Sequence, residues 1–175
     1  ELGPEAEARG VVLLNEMGLD PGLDHMAIMR AVDGFRARGA SVASLRSVCG
    51  GLVEPAAAEP ADNPFRYRFS WSPRGALLAA SNPARYLRDG EVVAVEGAGL
   101  MLAAEPYRGL APLELEVLPN RDSTKYLGLY GLDAGANVRT MFRGTLRYRG
   151  WAVATHALAV LSLLSPDEPL ARRGE

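Results

Sequence analysis

Arg121 and Asp122 stand side by side in the stretch LPNRDSTKYLGLYG (118–131), with Ser123 and Thr124 directly behind them. A second cluster, FRGTLRYRG (142–150), holds Arg143, Arg147 and Arg149. A guanidinium presents a planar fork of N–H donors that matches a carboxylate bidentately. Arg143 and Arg147 are four residues apart, and in an extended strand an even separation puts both side chains on one face. The pattern suits an anion-binding site and, equally, a set of surface ion pairs contributing about 0–1 kcal/mol each. Asp122 reads as structural, accepting N–H groups within its own turn or pairing with a neighbouring arginine.

Other reactive residue types are sparse. Cys49, the single cysteine, ends a candidate strand before Gly50 and Gly51. A nucleophilic thiolate wants a histidine base, and neither His25 nor His156 sits in a recognisable partner motif. Cys49 therefore reads as a buried or pocket-lining thiol, His25 as a packed or capping residue, and His156 as a core histidine. The spacing of Cys and His residues writes no metal site. VEGAGLM (95–101) follows a candidate strand but has Leu102 where a dinucleotide fingerprint needs its third glycine. It reads as a glycine turn.

These residues need elements to position them. GVVLLNEMG (10–18) has the nearly continuous apolar run of a buried strand. Pro21 and Gly22 then make a turn, Asp24 can cap, and Ile28, Met29, Val32 and Phe35 recur at helical spacing as far as Gly39. SVASLRSVC (41–49) reads as a strand, and 50–64 as the longest loop. FRYRFSW (65–71) alternates with period two, as a half-buried strand or an extended lid does. Ser72 before Pro73 starts a helix. EVVAVEG and LELEVL read as strands, the second with Leu113, Leu115 and Val117 on one face. STKYLGLYGL reads as a short helix capped by Ser123 or Thr124. VRTMFRGTLRY reads as a strand interrupted at Gly144, and WAVATHALAVLSLL as an apolar helix. The content is mixed, with roughly four to six strands and about four helices.

Bulk properties narrow the function. A net charge of −2 exerts no general pull on nucleic acid or anionic lipid. No apolar run approaches the roughly 20 residues that span a bilayer. The acidic start ELGPEAEARG is neither a signal nor a transit peptide and reads as the tail of a helix from something longer. Eighteen of the 19 basic residues are arginine, which makes Lys125 conspicuous.

Six segments, NEMGLDPGLDHM, CGGL, NPFRYRFSWSPRGALL, YLRDGEVV, PNRDSTKY and RGTLRYRG, stand in the order found in saccharopine dehydrogenase of the glutamate-forming type, also called saccharopine reductase. Over residues 10–151 the chain resembles that family. With NRDSTKY followed by a YG pair it looks closer to the animal branch, where the activity forms the C-terminal part of a bifunctional semialdehyde synthase, than to the fungal one. The resemblance implies oxidation of saccharopine with NAD or NADP. Hydride leaves the carbon beside the secondary amine, and the imine is hydrolysed to glutamate and 2-aminoadipate 6-semialdehyde in lysine metabolism.

The same resemblance implies a Rossmann domain, absent from this chain, that binds most of the cofactor and carries the residue choosing NAD or NADP. The chain by itself is then expected to be inactive. Residues 1–14 would end the Rossmann domain, and residues 15–175 would form an incomplete saccharopine-binding and dimerisation domain. The implied fold is α/β (α+β): a mixed sheet with helices on one face, resembling the C-terminal domain of glyceraldehyde-3-phosphate dehydrogenases. Arg121 and Arg147 would grip substrate carboxylates, and Thr145 with the backbone around Leu146 would add hydrogen bonds. Asp20 would pair with a substrate ammonium. Leu19, Asp20, Pro21 and Trp71 would lie near the nicotinamide. Asp20 and Cys49 are the candidates for positioning a proton-carrying water. A homo-oligomer is implied, in the mitochondrion for an animal-type enzyme and the cytoplasm otherwise.

The chain departs from the family pattern in a longer loop, VEPAAAEPAD, after CGGL, and in Val48 and Leu118 where tyrosine is common. Two other readings compete. One is a non-catalytic module that binds amino acids or dimerises. The other is a carboxynorspermidine-type oxidoreductase of the same architecture, whose substrate carries fewer carboxylates and has less need of both arginines.

Overall fold

The computed structural model describes residues 2–59, 61–70, 72–132 and 137–164. The chain divides into two compact units, Glu1–Ser41 and Val42–Glu175. In the first, α1 (Gly3–Ala8) and α2 (Leu23–Arg36) flank an extended segment and a turn bridged between Gly18 and Gly22. The strand expected over 10–18 is not formed, and Val11, Val12, Leu13 and Leu14 are exposed. An apolar run becomes a strand only beside a neighbour that takes its N–H and C=O groups. No other strand lies among this unit's described residues. Helix α2 forms as its periodicity requires, but Asp24 does not cap it forward. Its carboxylate accepts the Gly22 N–H at 2.8 Å, within the turn.

The second unit is built on β6 (Thr140–Tyr148), nine residues long and continuous through Gly144. The expected interruption there is absent. A Cβ on residue 144 would lie 2.5 Å from Val117 Cγ2 and 2.6 Å from Phe142 Cε1, so glycine is needed for packing, not for a break. β1 (Ser44–Cys49) runs parallel to β6 along its whole length, from Ser44 opposite Thr140 to Cys49 opposite Thr145. A strand has only two edges, so the other is shared. β2 (Ala84–Arg88) pairs antiparallel at Leu87 opposite Met141, and β5 (Leu115–Pro119) pairs antiparallel from Pro119 opposite Gly144 to Leu115 opposite Tyr148. β3 (Glu91–Val95) and β4 (Glu105–Tyr107) extend the two branches. The fold is thus the mixed α/β arrangement the resemblance implied.

Between the branches, β6 has one residue, Arg143, whose main chain faces no strand on that edge. Residues 120–123 fill the gap. The Asn120 N–H donates to the Arg143 carbonyl at 2.9 Å, and the Arg143 N–H donates to Ser123 Oγ at 2.9 Å. On the β2 side, the Arg85 N–H donates to the Arg121 carbonyl at 2.9 Å and the Ser123 N–H to the Arg85 carbonyl at 2.7 Å. Ser123 is fully buried, its hydroxyl oxygen standing where a neighbouring strand would put a carbonyl. This arrangement is what the density of polar groups in the turn accomplishes. Neither Ser123 nor Thr124 caps α4 (Tyr126–Leu129), since Ser123 is committed to β6.

Side chains of β6 alternate between two cores. Phe142, Leu146 and Tyr148 pack with Tyr86, Leu115, Val117 and Ala58, and the loop after β1 covers this face. The Tyr148 hydroxyl ties that loop down by donating to the Val53 carbonyl at 2.9 Å. Met141, Arg143, Thr145 and Arg147 face the other way, toward α4 and α5 (Trp151–Val160). Helix α3 (Pro73–Ala79) starts at Ser72, whose hydroxyl accepts the Gly75 N–H at 3.0 Å. Its C-terminal Ala80 packs with Trp151 and Ala152 of α5. Residues 65–70 form neither a strand nor a helix. Their anchors are side chains: Arg66 Nε donates to the Ala58 carbonyl at 2.8 Å, and Asn63 brackets Tyr67.

Replacing Ser123 by alanine removes the hydroxyl that accepts the Arg143 N–H. An unsatisfied buried donor costs about 1–3 kcal/mol. Ser123→Ala should lower the urea midpoint accordingly, with an unchanged slope.

Candidate functional site

Three of the expected site residues meet on the helix-bearing face of the sheet. Cys49 at the end of β1 lies opposite Thr145, and Arg147 is two residues further along β6, pointing the same way. The Arg147 guanidinium lies 4.9 Å from the Tyr67 ring centroid and 5.1 Å from that of Trp151. Its Nη1 donates to the Leu146 carbonyl at 2.8 Å, and its buried Nε has no partner among the described residues. Burial pulls its pKa down, while nearby Tyr67 and Cys49 act in the opposite sense. An arginine nonetheless remains cationic in any protein setting. Leu146 contributes its backbone, and its side chain belongs to the opposite core.

The nearest carboxylate by register is turned elsewhere. Glu116 of β5 is opposite Arg147, yet it makes no ion pair with it. Its Oε1 accepts the Ala152 N–H at 2.6 Å and its Oε2 the Gly150 N–H at 3.3 Å. A carboxylate at a helix N-terminus satisfies otherwise orphaned donors and meets the positive end of the dipole. Glu116 thus fixes the start of α5, and with it Trp151, without neutralising Arg147.

Arg143 has a different environment. It is buried, with Nη1 donating to the Tyr130 hydroxyl at 3.1 Å and its guanidinium carbon 4.4 Å from the Tyr126 ring centroid. The shared face expected for Arg143 and Arg147 is present, but each has its own aromatic partners. Arg121 is exposed, at φ +48°, and its guanidinium makes no ion pair among the described residues. Asp122 is structural as expected: Oδ1 accepts both the N–H and the hydroxyl of Thr124. The Thr124 hydroxyl bond is the main reason its carboxyl lies below the ordinary value of 3.8.

Leu19, Asp20 and Pro21 lie in the turn of the first unit, and Arg121 and Arg147 belong to the second. Trp71 lies outside the described residues. Among the described residues no group of three or more His, Cys, Asp or Glu could hold a metal ion, and no helix is long and apolar enough to cross a membrane. Sequence reasoning missed Tyr67, Trp151 and Glu116. Alternation in FRYRF and a tryptophan directly after Gly150 were the available signals.

Residues 18–173 match the saccharopine dehydrogenase C-terminal domain family. The chain is 45% identical over 168 residues to the mitochondrial alpha-aminoadipic semialdehyde synthase of Bos taurus, covering 95% of this chain and 18% of that protein. It is 41% identical to the NADP(+)-dependent, L-glutamate-forming saccharopine dehydrogenase of Saccharomyces cerevisiae, covering 95% of this chain and 36% of that protein. A solved structure of the apo yeast saccharopine dehydrogenase (L-Glu forming) superposes with a TM-score of 0.81 at 39% identity, over 96% of this chain and 36% of that one. The chain therefore spans between about a fifth and just over a third of the length of these relatives.

A carboxylate held below its ordinary pKa stabilises the fold above about pH 4, and that contribution disappears as pH falls through the folded value. Asp122→Asn should therefore be less stable than the parent near neutrality, and the two should converge in urea titrations as the pH falls below the ordinary carboxylate range.

Proposed function

The chain belongs to the saccharopine dehydrogenase C-terminal domain family, and from that premise we propose that it is the substrate-binding part of an oxidoreductase. The reaction is conversion of saccharopine, NAD(P) and water to glutamate, 2-aminoadipate 6-semialdehyde and NAD(P)H. One observation carries the reading: Arg147 is a largely buried cation with an unused N–H and no carboxylate partner among the described residues. An isolated charge away from water is costly unless something pairs with it. A ligand carboxylate is the pairing group that fits a guanidinium fork.

Arg121 supports the same substrate class. Its turn is fastened to Arg143, and Arg147 lies four residues further along β6, about 13 Å at strand rise. Arginines presented at separate points along β6 suit an extended molecule with carboxylates at separate points, as saccharopine has. In this reading Thr145 and the Leu146 backbone add hydrogen bonds to the carboxylate on Arg147. Asp20 receives a substrate ammonium, and Cys49 borders the water that hydrolyses the imine. Leu19, Pro21 and Trp71 border the nicotinamide. Residues 1–14 are proposed as the end of the cofactor domain, and the complete enzyme as a homo-oligomer. The compartment proposed is the mitochondrion, with the animal relatives.

The glycine-rich segment after β3 does not fit a pyrophosphate. It forms two short 3₁₀ turns, Gly97–Gly99 and Met101–Ala103, not a helix whose N-terminus could hold that group. Gly97 is needed because a Cβ there would lie 2.1 Å from the Ser81 carbonyl oxygen. NAD(P), the hydride acceptor, is therefore assigned to the part of the parent enzyme outside this chain.

In the complete enzyme, Arg147→Lys and Arg121→Ala should each raise the saccharopine KM by roughly 10–100-fold, the range of a lost charge-assisted hydrogen bond. The KM for NAD(P) should stay unchanged. An unchanged saccharopine KM in a folded Arg147→Lys enzyme would remove the basis of this reading.

A further inference from the structure

Arg147 is held mainly by rings. The Tyr67 and Trp151 rings meet at 63° with centroids 6.2 Å apart, and the guanidinium carbon sits within 4.9 and 5.1 Å of the two. Those three distances describe a corner, with the cation against two walls. Each wall is itself anchored. Asn63 accepts the Tyr67 N–H at 3.3 Å, and its amide donates to the carbonyls of Tyr67 at 3.2 Å and Ala57 at 3.1 Å. Trp151 opens α5, whose first N–H groups are held by Glu116. Tyr67 also meets Phe69 edge to face at 5.4 Å.

A ring face attracts a cation electrostatically but offers its N–H groups only a weak acceptor. A carboxylate in the same place would fix the guanidinium too, at the cost of occupying its fork and cancelling its charge. We propose that Tyr67 and Trp151 are positioning residues: they hold the Arg147 guanidinium in place while leaving its N–H donors and its charge available to a substrate carboxylate. The inference rests on the reading of Arg147 as a carboxylate receptor. It adds two residues outside the arginine motifs, contributed by the NPFRY segment and by the first turn of α5.

The test uses the complete enzyme and measures saccharopine KM, kcat and the NAD(P) KM. Tyr67→Leu should raise the saccharopine KM about five- to thirtyfold with the NAD(P) KM unchanged, while Tyr67→Phe and Trp151→Phe, which keep a ring, stay within about twofold of the parent. On an Arg147→Lys background, Tyr67→Leu should add less than about twofold, because its effect passes through Arg147. A folded Tyr67→Leu enzyme with the parent KM overturns the inference, as does a full additional effect on the Arg147→Lys background. Where Tyr67→Leu does not fold, Tyr67→Leu combined with Arg147→Met should recover the Tm, since the uncharged isostere needs no ring face; no recovery overturns the inference. If Arg147→Lys alone leaves KM unchanged, the carboxylate-receptor reading fails first. If it raises KM and the ring variants do not, only the positioning role falls.

Discussion

β6 lies at the centre of the sheet, and its hydrogen bonds on both edges must be satisfied for the site to exist at all. One edge is covered by β1 along six residue pairs. The other is divided between β2 and β5, which diverge on either side of Arg143. A buried N–H or C=O left open at that point would cost free energy comparable to a lost hydrogen bond. The turn of residues 120–123 removes this cost with one backbone N–H and one hydroxyl, and ties the wedge to Arg85 with two further backbone groups. The conformation that achieves this puts Arg121 at a positive φ with its side chain outward. Closing the sheet and presenting the first candidate arginine are thus consequences of a single local geometry.

Further along the same strand, alternation sends Arg147 to the helix-bearing face, where two conditions leave it without a carboxylate partner among the described residues. Glu116, opposite it in register, is engaged by the N-terminus of α5. Among the described residues, the guanidinium meets the Leu146 carbonyl and two rings, none of which cancels its charge. Arg143 shows the contrast within one strand. It too stacks on a tyrosine, but its Nη1 is bonded to Tyr130 and the residue is buried. The same residue type at an even spacing therefore plays a structural part at one position and is the proposed receptor at the other.

Much of the frame was legible in the sequence because its signals are local. Helical periodicity gave α2, Ser72 before Pro73 gave α3, and β1, β3 and β5 read as strands, β5 from its period-two alternation. What stayed hidden depends on partners distant in sequence. Residues 10–18 have a strand's composition and no neighbour to pair with in their unit, and FRYRF alternates like a strand but is pinned by Asn63 and Arg66 instead. β2 was hidden by its continuity with the preceding helical pattern, and β4 by its three residues and its proline. For the site, the arginine motifs were visible together with Asp122's local role. The sorting of Arg147 from Arg143, the diversion of Glu116 and the aromatic corner arise only when strands come into register.

The central claim is that Arg147 pairs with a carboxylate of saccharopine, and a calorimetric cycle tests it most directly. Binding to the complete enzyme would be measured for saccharopine and for analogues in which each carboxylate in turn is replaced by a neutral amide, in the parent and in Arg147→Met. The account predicts one analogue whose loss of affinity in the parent, about 1.5–3 kcal/mol, largely vanishes in Arg147→Met. If all the losses persist undiminished in the variant, Arg147 does not bind the substrate, and the claim is contradicted.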